Sequence, residues 1–254
     1  MRRSAALFSS PMAKLQLQVW SDIACPWCYV GKRRLEKALA GFAHAADFAI
    51  AWRAFELDPR APREQDPSQS YAERLARKYG SSVGDAQARI DHLTETARGD
   101  GLTLRFDIIR PGNTFDAHRL VHLAATRGRQ DAMKERLLFA YFSEGQSVAD
   151  PETLARLGAE VGLDADDVRR TLSSDAYAQA VRAEERRASE LGIGGVPFFV
   201  FADRYALSGA QPAEVFEEAL TRAWTDQGGA SPPSAGGAGC DGGGCEVAPA
   251  ARDR

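Results

Sequence analysis

The chain has 254 residues, of which 44% are apolar, and its formal net charge is −3 at pH 7. This apolar content is sufficient for a folded core, and the nearly balanced charge, with basic residues spread along the chain, argues against nucleic acid or an anionic membrane surface as a partner. The longest apolar run, residues 196–202, is far too short to span a membrane.

Residues 1–14 are predicted to be an unstructured amino terminus. Ser9, Ser10 and Pro11 interrupt its apolar residues before they reach the length of a secretory signal. We therefore expect a cytoplasmic protein, in a compartment where thiols are normally kept reduced. Under those conditions, four cysteines in two close pairs indicate redox chemistry or metal binding rather than structural disulfides.

A β-α-β pattern follows the amino terminus. Residues 15–19 alternate apolar and polar side chains as a half-buried strand does, and a helical pattern begins at Pro26, a residue that the first turn of a helix accepts. Residues 47–59 alternate again, with Phe48, Ile50 and Trp52 on one face and Phe55 as a further candidate for that face. The folded part therefore begins with a strand, a helix and a strand.

The rest of the chain divides into three parts. Residues 66–191 show helical patterns in several segments that end in glycine, and we interpret them as an all-helical insertion. Residues 195–210 predict a hairpin that turns at residues 202–204, and an amphipathic helix follows it. Residues 226–254 are rich in glycine and hold almost no large apolar side chain, which predicts a disordered, flexible tail.

The pair Cys25 and Cys28, in the sequence Cys-Pro-Trp-Cys, lies at the predicted start of the first helix. This spacing brings two sulfurs within disulfide range, and the positive end of the helix favours the thiolate of Cys25. We expect Cys25 to be the exposed nucleophile and Cys28 the thiol that resolves a mixed disulfide. A C-x-x-C pair also fits half of a zinc site, but the order of strand, cysteine pair, helix and strand is that of thioredoxin and favours redox chemistry.

The segment around Pro197 supplies a second part of the predicted site. Thioredoxin-like folds place a cis-proline before the strand that faces the cysteines, and the backbone of Val196 would there pair with a substrate; an ordinary trans proline at a strand start is the alternative. Trp27 and Tyr29 flank the cysteines. They are predicted either to form an apolar rim for a peptide substrate or to pack against the insertion.

Three stretches of the sequence resemble the DsbA-like thiol oxidoreductases, and within them the FrnE-like branch. They are SDIACPWCYVGKRRLE from Ser21, NTFDAHRLVHLA from Asn113, and GIGGVPFFVF followed by SGAQP from Ser208. The resemblance extends over residues 15–224. It implies an α/β thioredoxin fold formed by residues 15–65 and 192–225, with the helical insertion at residues 66–191. It also implies dithiol-disulfide exchange at Cys25 and Cys28 with protein thiols or small thiols, a cis bond before Pro197, and neither a cofactor nor a metal.

The sequence departs from the family pattern at two positions. Trp27 stands where DsbA has a histidine whose charge stabilises the thiolate, which predicts a weaker oxidant. Val19 stands where such enzymes usually bury a carboxylate that accepts a proton. Asp22 is the only acid nearby, and a loop or capping role is the better interpretation for it than proton transfer.

Two further pairs of residues, one of histidines and one of cysteines, are weaker candidates for a functional site. His118 and His122 share a helix face at the spacing of a metal pair, but without an obvious third ligand a surface or core role is favoured. Cys240 and Cys245 lie in the tail, beyond a flexible linker of about 15 residues with a reach of roughly 20 Å. They are predicted to be an auxiliary redox pair that exchanges with the first pair, and an inert appendage is the alternative.

The leading hypothesis is a protein thiol-disulfide oxidoreductase that cycles Cys25 and Cys28. The kappa-class glutathione transferases and chromene-carboxylate isomerases share the expected architecture, but they typically use a serine at the position of Cys25. A protein that stores or senses metal with its four thiolates is a non-enzymatic alternative.

Overall fold

The structure, a computed structural model, describes residues 14–63 and 69–228. Its first three elements are the strand β1 (Leu15–Ser21), the helix α1 (Pro26–Gly41) and the strand β2 (Phe48–Ala54), with a short 3-10 turn at Ala45–Asp47. The two strands are parallel and pair along their whole length, from Leu15 with Phe48 to Ser21 with Ala54. This β-α-β unit places the start of α1 at the carboxyl end of β1, where the cysteine pair lies.

A hairpin completes the four-stranded sheet. The strands β3 (Phe198–Phe201) and β4 (Tyr205–Ser208) are antiparallel, β3 pairs antiparallel with β1, and the strand order is β2-β1-β3-β4. Ala202 and Asp203 turn the hairpin with φ values of 51° and 54°, the left-handed conformation that tight hairpin turns require. The last helix, α9 (Ala213–Thr225), packs on this part of the sheet through Phe216, whose ring lies 4.7 Å from that of Phe199.

Seven helices lie between β2 and β3, where the sequence predicts helical structure. They are α2 (Tyr71–Tyr79), α3 (Val83–Gly99), α4 (Phe115–Thr126), α5 (Gln130–Phe142), α6 (Pro151–Glu160), α7 (Ala165–Leu172) and α8 (Ala178–Glu190). The α/β thioredoxin class with a helical insertion is therefore confirmed. The exact domain boundaries stay a prediction.

The apolar side chains form one large cluster and two smaller ones. Leu17, Val19 and Trp52 belong to the large cluster, which joins one face of the sheet to most of the helices. The placement of Phe55 on the face of Trp52 is wrong: Phe55 follows the end of β2 and packs with Trp20 on the other face. Phe55 lies three positions after Trp52, an odd offset, and neighbouring side chains of an extended segment alternate between faces.

Charged groups anchor α1 to α5. Lys32 is buried on α1, and its Nζ lies 3.1 Å from Glu135 and 3.3 Å from Asp131. Arg33 also pairs with Glu135, and the Tyr29 hydroxyl donates a hydrogen bond to the same carboxylate over 2.9 Å. The helix that carries the cysteines thus contacts α5 through the carboxylates of Glu135 and Asp131, and Glu135 is shared by three side chains of α1.

Some predictions concern residues outside the described part of the chain. They include most of the amino terminus, residues 1–13, and the tail from residue 229 onward with Cys240 and Cys245. Within the described ranges, no helix combines the length and apolar character needed to cross a membrane.

Candidate active site

The two cysteines lie on the first turn of α1. Cys25 is the amino-terminal cap residue, with an extended backbone (φ −97°, ψ 109°), and Pro26 begins the helix. The Cys28 amide donates to the Cys25 carbonyl over 3.0 Å, and the Cys25 amide donates to the Asp22 carbonyl over 3.4 Å. Both cysteines are free thiols. No acidic residue lies in this first turn, so the positive end of the helix faces the sulfur of Cys25 without a competing charge of its own.

The prediction that Cys25 is exposed is wrong, because the residue is almost completely buried. Only 4% of Cys25 is accessible, against 1% of Cys28. The Val196 carbonyl lies against Cys25 and accepts a hydrogen bond from its Sγ over 3.5 Å. The two thiols still differ, because Cys25 borders a cavity that reaches the surface and Cys28 does not.

The peptide bond between Val196 and Pro197 is cis. It immediately precedes β3, the neighbour of β1, so the loop that contains it meets the start of α1. Gly31 allows this close approach, because a Cβ at that position would lie 3.1 Å from Pro197 Cγ and 3.2 Å from Phe199 Cζ. The structure thus brings together Cys25, Val196 and Pro197, which the sequence separates by about 170 residues.

Cys28 is surrounded by groups that oppose and assist its ionisation. Burial raises the pKa of the Cys28 thiol well above its ordinary value, and the neighbouring Cys25 adds to that rise. The positive charge of Lys134 acts in the opposite direction. Lys134 is 1% accessible, and its Nζ donates to the Ser21 carbonyl over 3.3 Å. Its own pKa is lowered to about 8 because burial disfavours the ammonium form.

Sequence reasoning missed Lys134. A signal was present, because Lys134 precedes Leu137, Leu138 and Tyr141 by three, four and seven residues, which is the spacing of the buried face of a helix. A lysine on such a face is rarely unpartnered. The pattern alone does not indicate which groups it meets.

Asp22 and the two histidines have structural partners. Asp22 is buried and accepts hydrogen bonds from the amides of Ala24 (3.3 Å) and Leu57 (2.8 Å), which is the predicted loop role. His118 Nε2 also lies 3.4 Å from Asp22 Oδ1, and burial lowers the pKa of His118. His122 faces a different carboxylate, Glu184, at 3.1 Å. The described residues contain no group of three or more histidine, cysteine or acidic side chains able to hold a metal ion.

Trp27 and Tyr29 take different roles. Trp27 is 39% accessible and borders the cavity beside Cys25, as expected of an apolar rim. Tyr29 is buried, stacks on Phe142 with ring centroids 6.3 Å apart and bonds to Glu135, so it packs against the helical layer. Trp27 therefore lies at the position expected of a rim residue, and Tyr29 packs against the helical insertion.

A cavity of about 880 Å³ opens beside Cys25. The loop before β3, the start of α1 and the helices α2 and α3 all contribute to its lining. Tyr71, on α2, lines it, and its pKa is raised first by burial and then by the nearby charge of Cys25. The sequence gives no indication that Tyr71 faces Cys25, because the two residues lie on separate elements without a shared pattern.

Comparison with known proteins gives a consistent result. A family model described as a DSBA-like thioredoxin domain matches residues 16–221. The crystal structure of the probable DsbA oxidoreductase SCO1869 from Streptomyces coelicolor is similar, with 46% sequence identity and a TM-score of 0.79, over 90% of this chain and 97% of the other. The uncharacterized protein YwbO from Bacillus subtilis (strain 168) is 28% identical over 209 residues, which are 82% of this chain and 96% of YwbO.

The fold is shared more widely than the sequence. The structure of a 2-hydroxychromene-2-carboxylate isomerase matches with a TM-score of 0.61 over 84% of this chain and 98% of its own, at 18% identity. At that identity the likeness concerns the fold alone. The chemistry must therefore be argued from the residues at the start of α1.

Proposed function

The chain belongs to the family of DSBA-like thioredoxin domains and is a thiol-disulfide oxidoreductase; from this premise, we propose that it exchanges disulfides with protein or small-molecule thiols through Cys25 and Cys28. One observation carries the proposal: the Cys25 sulfur lies at the amino terminus of α1, 3.5 Å from the Val196 carbonyl, and borders an open cavity. Cys28, one turn further, is closed off from that cavity. This arrangement supports Cys25 as the sulfur that substrates reach.

The reaction requires two exchanges. In the reductive direction, the Cys25 thiolate attacks a substrate disulfide, a Cys25–substrate disulfide forms, and one substrate thiolate leaves. The Cys28 thiolate then attacks the Cys25 sulfur, the Cys25–Cys28 disulfide forms, and the second substrate thiolate leaves. Two electrons pass from the enzyme dithiol to the substrate, and the oxidative direction is the reverse.

Single cysteine variants test this assignment. We expect Cys25→Ser to abolish reduction and oxidation of a model protein, and Cys28→Ser to stop turnover after the first exchange. A variant with Cys240→Ser and Cys245→Ser controls for the tail thiols and should keep turnover at the first pair. Full activity of Cys25→Ser would refute the proposal.

Trp27, Val196 and Pro197 are proposed to bind the substrate next to the reacting disulfide. In this proposal the Val196 backbone, beside the cis bond, pairs with an extended peptide that displaces the Cys25 thiol from the Val196 carbonyl, and the exposed Trp27 ring supports the peptide with an apolar surface. Trp27→Ala should raise KM for a peptide disulfide several-fold and leave KM for a minimal small disulfide almost unchanged. Equal effects on both would contradict this role.

We further propose that Cys240 and Cys245 form an auxiliary dithiol that exchanges with Cys25. The support is the pair itself and the reach of roughly 20 Å of the linker before it. In a Cys28→Ser variant, a disulfide between Cys25 and a tail cysteine should accumulate and be found by peptide mass mapping. Its repeated absence would leave the tail pair without a redox role.

The finer classification is also a proposal. The three stretches that resemble the family, from Ser21, Asn113 and Gly192, support the FrnE-like branch, and paired thiols outside structural disulfides support a cytoplasmic site of action. Cell fractionation with thiol labelling tests the compartment. Tight glutathione binding without dithiol turnover would instead favour the kappa-class alternative.

A further inference from the structure

The cavity beside Cys25 has a charge pattern that the exchange reaction itself does not require. Four cationic side chains line it, against two carboxylates among the described residues. The cations lie on α2 and α3: Arg74, Arg77, Lys78 and Arg89. On α2, Arg77 and Lys78 follow Arg74 by three and four residues, so the three share one face of the helix.

The acidic side chains of the same two helices lie outside the cavity lining. Glu73 and Asp85 take part in the capping interactions of Ser70 and Ser82 at the starts of α2 and α3. Asp91 accepts a hydrogen bond from Gln87, and Glu95 pairs with Arg98. None of these four carboxylates lines the cavity. Glu73 lies near Arg77, and Asp85 lies near Arg89, but only the cations of these pairs line the cavity. The charged groups that the two helices present to the cavity are therefore positive.

The start of α1 adds to the positive character of the cavity. The start of α1 borders the cavity, and its first turn has neither an acidic residue nor a side-chain cap. Of the two carboxylates in the lining, Asp22 is buried and engaged by His118 and two backbone amides. The interior near Cys25 is thus an environment that favours an anion.

The rim of the cavity is apolar. Trp27, Leu57 and Tyr79 are large, exposed side chains, and all three line it. The volume of about 880 Å³ lies within the range of about 300–1,000 Å³ that small-molecule sites occupy. An occupant that fits both features has a carboxylate and an apolar or aromatic portion.

We propose that this cavity binds the group that flanks the reacting sulfur of a substrate disulfide, and that it selects disulfides whose flanking groups carry carboxylates. The inference rests on the proposed exchange at Cys25 and names the substrate class of that site. The carboxylate lies against the cations of α2 and α3 while the disulfide meets the Cys25 sulfur.

Two aromatic disulfides of opposite electrostatic character test the selection. Dithiobis(nitrobenzoate) is a dianion and dithiodipyridine is neutral at pH 7, and both release a coloured thiol when cleaved. The reduced full-length protein, with Cys240→Ser and Cys245→Ser to remove the tail thiols, is mixed rapidly with each at low ionic strength. The rate constant of the first cleavage is measured for Lys78→Glu and Arg89→Glu. The matched control is Lys37→Glu, an exposed position toward the other end of α1, outside the cavity lining.

Each cavity variant should lower the rate constant for the dianion about 3- to 10-fold and leave that for the neutral disulfide unchanged. High salt should reduce the difference. Equal effects on both disulfides, or the same effect from Lys37→Glu, would overturn the inference and leave the exchange function intact. If the unsubstituted protein cleaved neither disulfide faster than a free thiol does, the proposed function itself would fail.

In the cell, the carboxylate next to the reacting disulfide can belong either to a small-molecule disulfide or to an acidic segment of a protein. The same variants are therefore compared with glutathione disulfide and with a disulfide-bonded acidic peptide. A loss restricted to glutathione disulfide identifies a small-molecule site, and a loss restricted to the peptide identifies a site for a protein segment. No loss with either would contradict the selection.

Discussion

The two thiols of the Cys-Pro-Trp-Cys turn have different surroundings, and the difference follows from single neighbours. Cys25 meets a backbone carbonyl and an open cavity, whereas Cys28 meets a buried lysine. Because burial raises the pKa of Cys28, the resolving step depends on whatever charge opposes that rise. Lys134 supplies a positive charge there, from a different layer of the fold.

Replacing Lys134 with methionine tests this dependence. Lys134→Met removes the positive charge, so the pKa of Cys28 should rise further and resolution at pH 7 should slow about 10-fold, as a change of about one pKa unit implies. The release of the second thiol from dithiodipyridine, followed from pH 6 to 10, measures the step in the variant without tail cysteines. Its pH profile should move to higher pH, whereas Lys37→Met should not move it. An unchanged profile would exclude Lys134 from the resolving step.

Glu56 predicts a pH dependence of stability. It is buried against Arg182 and near Glu185, and burial raises its pKa from 4.5 to about 7. The folded protein therefore holds a proton that the unfolded chain releases between about pH 4.5 and 7, so this residue contributes stability at low pH that is lost as the pH rises through that window.

Glu56→Gln should flatten this dependence. The variant should be more stable than the parent protein at pH 8, by about 1–3 kcal/mol, with a smaller difference at pH 5. Urea unfolding at the two pH values gives the free energies of unfolding. A constant difference between variant and parent at both values would contradict the role of Glu56.

The sequence predicts some residues of the site and not others. Cys25, Cys28 and Val196 belong to short motifs whose spacing carries the prediction. Lys134 does not, because it contacts Ser21 across 113 residues of sequence. The local spacing indicates that Lys134 is buried, but it does not indicate that Lys134 contacts the end of β1.

At the scale of elements, the position of α1 depends on the shared carboxylate of Glu135. That carboxylate accepts from Tyr29 and pairs with Lys32 and Arg33, all on α1. Lys32 and Arg33 also pair with Glu36, so removing the partly buried Glu135 carboxylate takes away one of their partners and the acceptor of the Tyr29 hydroxyl. The helix that carries the cysteines should therefore be sensitive to this one side chain on α5.

Glu135→Ala should lower the free energy of unfolding by about 1–3 kcal/mol, because it removes a partly buried acceptor shared by three side chains. The matched control is Glu152→Ala, which breaks an exposed pair with Arg169 and should cost about 1 kcal/mol or less. Urea denaturation of both variants provides the comparison. Equal losses would show that the network does not anchor α1.

Periodicity predicted the elements well because most of them have one buried face. The strands β1, β3 and β4 and the helices α1 and α9 lie where apolar spacing and turn residues predict them. Phe55 was misplaced because it lies three positions from Trp52, so alternation turns its side chain to the opposite face. The local spacing of apolar residues does not predict which helices of the insertion pack against one another.

At the scale of the whole molecule, the site is assembled from distant segments. The turn after β1, the loop before β3 and the α2–α3 pair meet only when the sheet and the helices have packed. The family resemblance predicts the sheet and the cysteine geometry, but the charge of the cavity depends on which faces of α2 and α3 point inward. Those faces set which disulfides reach Cys25.

The most direct test of the account is to identify the sulfur that binds substrate. The protein carries Cys28→Ser together with Cys240→Ser and Cys245→Ser, and it reacts with a disulfide-bonded peptide before intact-mass measurement and peptide mapping. The account predicts one stable adduct per chain, attached to Cys25, with no such adduct when Cys25→Ser is added. A protein that retained full exchange activity while Cys25 formed no adduct would contradict it.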